Sequence, residues 1–210
     1  YWAGGATAHL VSWLLATHDA AGLASGLFAL LALQFILLAA RELHGRDHAA
    51  AAPLLLAGSI GFLFHAHEAQ PMLAALAAHT ATYWSLALLP RRPRQAAFVF
   101  GTSVALGFLA NGLLPVLTLL PAIALTIWNA EYRAKASLHV AAGTVLALAI
   151  VSLWLVPLQR VAPDYLTALW RNELAQLHSP ANPLSGVPRY LNLLLWYAWP
   201  ALPLAGWALW

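Results

Sequence analysis

Residues Gly61 to Met72 read GFLFHAHEAQPM, an apolar run that stops at two histidines and a glutamate and restarts behind a proline. A lone histidine in an apolar chain carries little information. Here His65, His67 and Glu68 stand within four residues, between two segments each long enough to cross a bilayer, and that predicts a turn at a membrane surface.

Outward from that turn, 62% of the 210 residues are hydrophobic and 8% are charged, against roughly a quarter charged in an average soluble domain. The apolar residues come in long Ala and Leu blocks. Spanning helices of roughly 20 residues satisfy their own backbone polar groups within lipid. The fold predicted is all-α: a polytopic transmembrane bundle of about seven spans plus an N-terminal interfacial helix. Cysteine is absent, which excludes disulfides and thiolate metal sites. The net charge of +3 reflects anchoring arginines rather than a nucleic-acid surface. Residues 1–210 read as a single transmembrane domain, expected to be an internal fragment of a longer protein.

Tyr1 to Thr17 mixes aromatics, glycines and His9, and residues 1–18 read as an interfacial segment on the outer side. Asp19 is the expected cap of the first span, Ala20 to Ala40. Ala49 to Phe64 is expected to return to the HAHE turn, and Pro71 to open the helix that ends at Leu89. Gln95 to Ala110 and Leu113 to Trp128 form a pair split by Asn111-Gly112. Ser137 to Val156 follows EYRAK, a polar outer loop is expected over 157–189, and Tyr190 to Trp210 is the last span.

Arg41, Arg46, Arg91, Arg92, Arg94, Arg133 and Lys135 fall on one side of this alternation, and Arg160, Arg171 and Arg189 on the other. The positive-inside rule makes the first side cytoplasmic. The HAHE turn, the Asn111 break and the long loop then share the outer side.

His65, His67, Glu68 and Gln70 can bind a polar substrate, shuttle a proton or ligate a divalent cation; a solvated helix end explains them as well, and the sequence requires no metal. His79, midway along a span, is either functional or a neutral imidazole bonded to a neighbouring helix. Asn111-Gly112 is a plain turn or a set of donors for a phosphate or sugar hydroxyl. In the long loop Trp170, Arg171, Glu173, His178, Arg189 and Tyr190 stand out. Outer arginines suit an anionic head group, or pair with Glu173 or Asp164. Trp196, Trp199, Trp207 and Trp210 read as interface anchors.

The order of these features resembles the membrane glycosyltransferases of the GT-C superfamily, in the bacterial branch of aminoarabinose (lipid A) transferases and protein mannosyltransferase relatives. Tyr1-Trp2 is similar to the end of that family's K-P-P-x-x-Y-W stretch, and DAAGLASGLFALLALQFILLAARELHG to the span after its catalytic loop. HEAQPMLAALAA resembles the start of a later span, GFLANGLLP the G-x-x-x-L-x-K-G-x-x-x-x-P break, and WRNEL followed by YLNLLLWYAWPALPLA the closing loop and span. Three departures accompany the likeness: Gly22 stands where an arginine is frequent, Asn111 where the break has lysine, and Gln70-Pro71-Met72 where many relatives have R-P-D.

The resemblance implies an integral membrane enzyme that moves a sugar from a polyprenyl-phosphate donor to a lipid, glycan or protein acceptor at the periplasmic face of a bacterial inner membrane. The main catalytic acid is expected upstream of this sequence. Glu68 and His65 are then the candidate catalytic residues here, and His67, Gln70, Asn111, Arg171, Arg189 and Tyr190 the candidate substrate contacts. A transporter or channel with a histidine-lined proton or metal path, and a catalytically decayed scaffold, are the alternatives.

Overall fold

Alanine blocks punctuated by proline and glycine give helices with definite ends and narrow sides. In the computed structural model, which describes residues 17–65, 71–128, 133–177 and 196–209, these helices are α1 (Thr17–His44), α2 (Ala51–Ala57), α3 (Ile60–His65), α4 (Pro71–Leu88), α5 (Pro93–Asn111), α6 (Leu113–Trp128), α7 (Arg133–Val161), α8 (Pro163–Leu177) and α9 (Ala201–Leu209). No strand occurs among the described residues, as the all-α expectation requires.

The body is a row in the order α1, α4, α5, α7. Phe35 stacks on Trp84 at 5.7 Å between ring centroids and Arg91 reaches Glu42 at 3.1 Å, so α1 and α4 run parallel. The short turn at 89–92 reverses the chain into α5. Buried Ala96 and Ala136 share one apolar cluster with Leu88 and Leu89, and Gly101 abuts Gly143, which sets α7 parallel to α5. One end of the row therefore gathers His44, the 89–92 turn and Arg133. The other gathers Pro71, Asn111 and Val161.

Small residues fill the inside. Ala24, Ser25, Ala29 and Ala32 of α1 are buried, as are Ala75, Ala77, Ala78, Ala81 and Thr82 of α4 and Gly101, Ser103 and Ala105 of α5. A Cβ built on Gly101 would stand 2.5 Å from the Gly143 carbonyl oxygen, and one on Gly143 would stand 2.7 Å from that of Ala97. Two backbones approach here because neither residue has a side chain, the device by which helices associate when burial of large side chains gives no advantage.

Large residues instead face outward: Leu30, Leu63, Phe64, Phe98, Trp128, Val145 and Leu153 are all more than half exposed. In water such a surface would drive association; it suits an apolar surrounding. Among the described residues two helical stretches are, by length and composition, able to cross a membrane, Gly22–His44 and Ala136–Val161, and only 11% of the apolar window of the second is buried.

Several expected boundaries hold. α4 opens on Pro71, α6 runs from Leu113 to Trp128, and the break between α5 and α6 falls at Gly112. Others need correction. The expected span Ala49–Phe64 is two helices of 7 and 6 residues parted at Gly58-Ser59, each about 10 Å long at 1.5 Å per residue, too short to cross. Asp19 lies inside α1 rather than at its cap. The 157–189 stretch is not a loop over its described part, because α7 continues through Pro157 to Val161 and Pro163 opens α8. Within the described part of the last expected span, helix is confined to Trp196-Tyr197 and the 9 residues of α9, beyond the turn at 198–200. Residues 1–16, which hold most of the expected interfacial segment, lie outside the described residues.

Candidate functional site

Polar side chains and freed backbone groups meet where α4, α5, α6 and α8 come together. α5 ends at Asn111, and Gly112 turns the chain with φ 71° and ψ −147°, a conformation that glycine adopts without a Cβ penalty. Its own N–H closes on the Phe108 carbonyl oxygen at 2.8 Å. The turn leaves the first N–H groups of α6 without intrahelical acceptors. Glu173 of α8 supplies one: its carboxylate accepts the Leu113 N–H at 2.8 Å. The space a Cβ would need at Gly112 is filled by that same carboxylate. A negative group at a helix N-terminus is also favoured by the helix dipole.

α8 is amphipathic. Leu166, Leu169, Trp170 and Glu173 are its half-buried positions, at the spacing of one helical face, and Trp170 sits 6.4 Å from Phe108 between ring centroids. Asp164 lies in its first turn. Arg171 and Asn172 are exposed. Arg171 has no ion-pair partner among the described residues, because Glu173, two positions along and on the opposite face, is committed to α6. The expected alternative of an Arg171–Glu173 pair is therefore replaced by a capping contact.

Asn111 donates from Nδ2 to the Met72 sulfur at 3.3 Å, which ties the end of α5 to the start of α4. The Leu113 N–H freed by the break is taken by Glu173 in this arrangement, so it is not open to a phosphate. His65 ends α3 and stacks against Tyr197, 6.0 Å between centroids. Of the predicted site residues, then, Asn111 belongs to the α8 junction, Arg171 is on the exposed side of α8, and His65 lies against the 196–200 segment. His67, Glu68, Gln70, Arg189 and Tyr190 lie outside the described residues. No group of three metal-ligating side chains gathers among the described residues.

His79 is held between two helices. Its Nδ1 lies 2.7 Å from the Ala75 carbonyl oxygen and its Nε2 2.8 Å from Thr118 Oγ1 of α6. The interhelical bond matches the structural reading of this residue, with Thr118 as the partner; Thr80 bonds back to α4 carbonyls and Thr82 meets Ser103.

Glu173 is the residue whose role sequence reading missed. Its local signal was Pro163-Asp164 followed by apolar residues at helical spacing, which marks an amphipathic helix; its partner, 60 residues away, had no local signal. The chain matches no protein-family model, no curated protein and no solved structure.

Proposed function

We propose that this chain is part of an integral membrane glycosyltransferase that uses a polyprenyl-phosphate sugar at the outer face of a bacterial inner membrane. The observation that supports the reading is the Glu173–Leu113 contact. It joins the LANGLLP break to the WRNEL stretch, two of the places that carry the family resemblance. In this proposal α1, α4, α5, α6 and α7 cross the bilayer as a multi-pass body, and α8 lies at the outer lipid–water boundary. A seven-pass topology needs the 51–65 and C-terminal segments to complete two further crossings.

In the reaction an acceptor hydroxyl gives its proton to a carboxylate, Glu68 or one upstream, and its oxygen attacks the anomeric carbon. The anomeric carbon–oxygen bond to phosphate breaks, and polyprenyl phosphate departs with the electron pair. A guanidinium such as Arg171 or Arg189 offsets the charge on the leaving phosphate. His65, His67 and Gln70 contact sugar or acceptor.

The test is the full-length protein in proteoliposomes with a radiolabelled polyprenyl-phosphate sugar. The expected result is label transfer with release of polyprenyl phosphate. Glu68→Gln should cut transfer at least about a hundredfold if it is the base, with expression intact, and Arg171→Ala should raise the KM for the donor. Solute uptake in the absence of any sugar-lipid donor, with no label transfer, would overturn the reading in favour of a transporter.

A further inference from the structure

The end of the bundle opposite the Glu173 junction is charged in a lopsided way. Arg41 and Arg46 stand at and just beyond the end of α1, and Arg91, Arg92 and Arg94 stand at the α4–α5 turn, all of them exposed. The acidic groups described beside them are Glu42 and Asp47. Glu42 is already committed, since Arg91 donates to its Oε2 and to its backbone oxygen, each at 3.1 Å. Arg41, Arg46, Arg92 and Arg94 have no ion-pair partner among the described residues. At the α8 end the described charges balance, Arg160 and Arg171 against Asp164 and Glu173.

The neighbours of these cations are apolar. Phe98, one helical turn beyond Arg94, is 61% exposed, and Leu43, in the last turn of α1 between Arg41 and Arg46 in the chain, is 65% exposed. Uncompensated guanidinium groups bordering exposed hydrocarbon is the arrangement a phospholipid fits, with its phosphate at the cations and its acyl chains along the apolar flank. Guanidinium pairs with phosphate oxygens in two parallel hydrogen bonds. A soluble anion would have no use for the Leu43 and Phe98 surfaces.

We infer that this rim is a binding surface for anionic phospholipid headgroups, with Arg92 and Arg94 as its main phosphate contacts. The inference rests on bilayer residence but not on the glycosyltransferase reading. Arg91 has a different task, holding α1 to the turn.

The full-length protein purified in a neutral detergent is titrated with phosphatidylglycerol and, separately, with phosphatidylcholine, and bound lipid is counted by native mass spectrometry. Phosphatidylglycerol should be preferred by about tenfold or more, given what each surface arginine contributes near an anionic headgroup. Arg92→Gln with Arg94→Gln should abolish most of that preference, while Arg160→Gln at the other end, an exposed arginine in the last turn of α7, leaves it intact. Unchanged melting of each variant establishes that the fold survives, and Arg92→Lys with Arg94→Lys should retain part of the preference. Equal binding of the two lipids by the wild type, or a preference unaffected by the double glutamine change, sinks the proposal. So does displacement of phosphatidylglycerol by equimolar inorganic phosphate, which would make the rim a soluble-anion site. Failure of bilayer residence has a separate signature: release of the protein from membranes by alkaline carbonate.

Discussion

Glu173 and Leu113 are 60 residues apart, and the 2.8 Å bond between the carboxylate of one and the N–H of the other closes α8 over the start of α6. The bond is charge-assisted, half-buried and backed by the Phe108–Trp170 ring contact. Glu173→Ala removes both the acceptor and the charge at a helix N-terminus, a loss of about 1–2 kcal/mol. A lower melting temperature and earlier proteolysis within 163–177 are the expected readings. An unchanged melting curve would mean that α8 is held by its aromatic contact alone.

Gly112 tests the same junction from the other side. Alanine there meets an unfavourable backbone region, which costs about 1–3 kcal/mol, and drives a methyl group into the Glu173 carboxylate. Part of the penalty belongs to the pair. Gly112→Ala should therefore be less damaging in a Glu173→Ala background than alone, and strictly additive losses in a double-mutant cycle would show that the two residues do not share a space.

What the sequence made legible was whatever carried its own punctuation. Pro71 marks the start of α4, and Asn111-Gly112 marks the break before α6, because proline and glycine act on the backbone locally. The division of 49–64 into α2 and α3 had no such mark beyond Gly58, an unremarkable residue in an apolar run. It coincides with distant contacts: the Ile60 N–H donates to the Trp199 carbonyl oxygen at 3.3 Å, and Gly61 lies against Tyr197. The helix α8 lies in a stretch whose polar residues and prolines suggest a loop, yet Pro163 occupies a first helical position where its missing N–H costs nothing. For the candidate site, residue types were legible and partners were not. Arg171 and Glu173 are near in sequence, yet a two-residue offset on a helix sends them to opposite faces.

At the α5–α7 crossing, Gly101 and Gly143 let two backbones touch. Gly101→Leu has no room for its side chain beside the Gly143 carbonyl and Leu146, and separation of the helices by such overpacking costs about 1–3 kcal/mol or more. Reduced yield of folded protein in detergent is the expected outcome. Gly26→Leu on α1, where nothing lies within 4 Å of a Cβ, is the control and should be tolerated.

Thr82 is fully buried and Ser103 nearly so, 2.8 Å apart between α4 and α5. Each also reaches a carbonyl of its own helix, Ala78 and Phe100 respectively, so two hydroxyl protons serve three contacts. Either proton direction leaves both oxygens bonded, which limits the worth of the cross-helix link. A cycle built from Thr82→Val and Ser103→Ala should give a coupling near 0.6 kcal/mol, the average for such bonds in a bilayer. A value above about 2 kcal/mol would instead mark a polar network that the surrounding alanines do not account for.

His79 separates a structural from a conducting role. The Ala75 carbonyl can only accept, so in the neutral ring Nδ1 carries the proton and Nε2 accepts from Thr118. The Thr118 hydroxyl, which also lies 2.9 Å from the Pro115 carbonyl oxygen, then turns toward the imidazole. Thr118→Val leaves Nε2 without that donor and should destabilise the α4–α6 contact by about 1–3 kcal/mol. His79→Ala loses the same bond together with the ring. Because this geometry uses both ring nitrogens to fix helices, either change should lower the melting temperature, while the sugar transfer proposed for this protein, measured below that temperature, should stay close to the wild-type rate. Loss of an ion or solute flux with melting unchanged would instead make His79 a carrier of protons and remove it from the structural account.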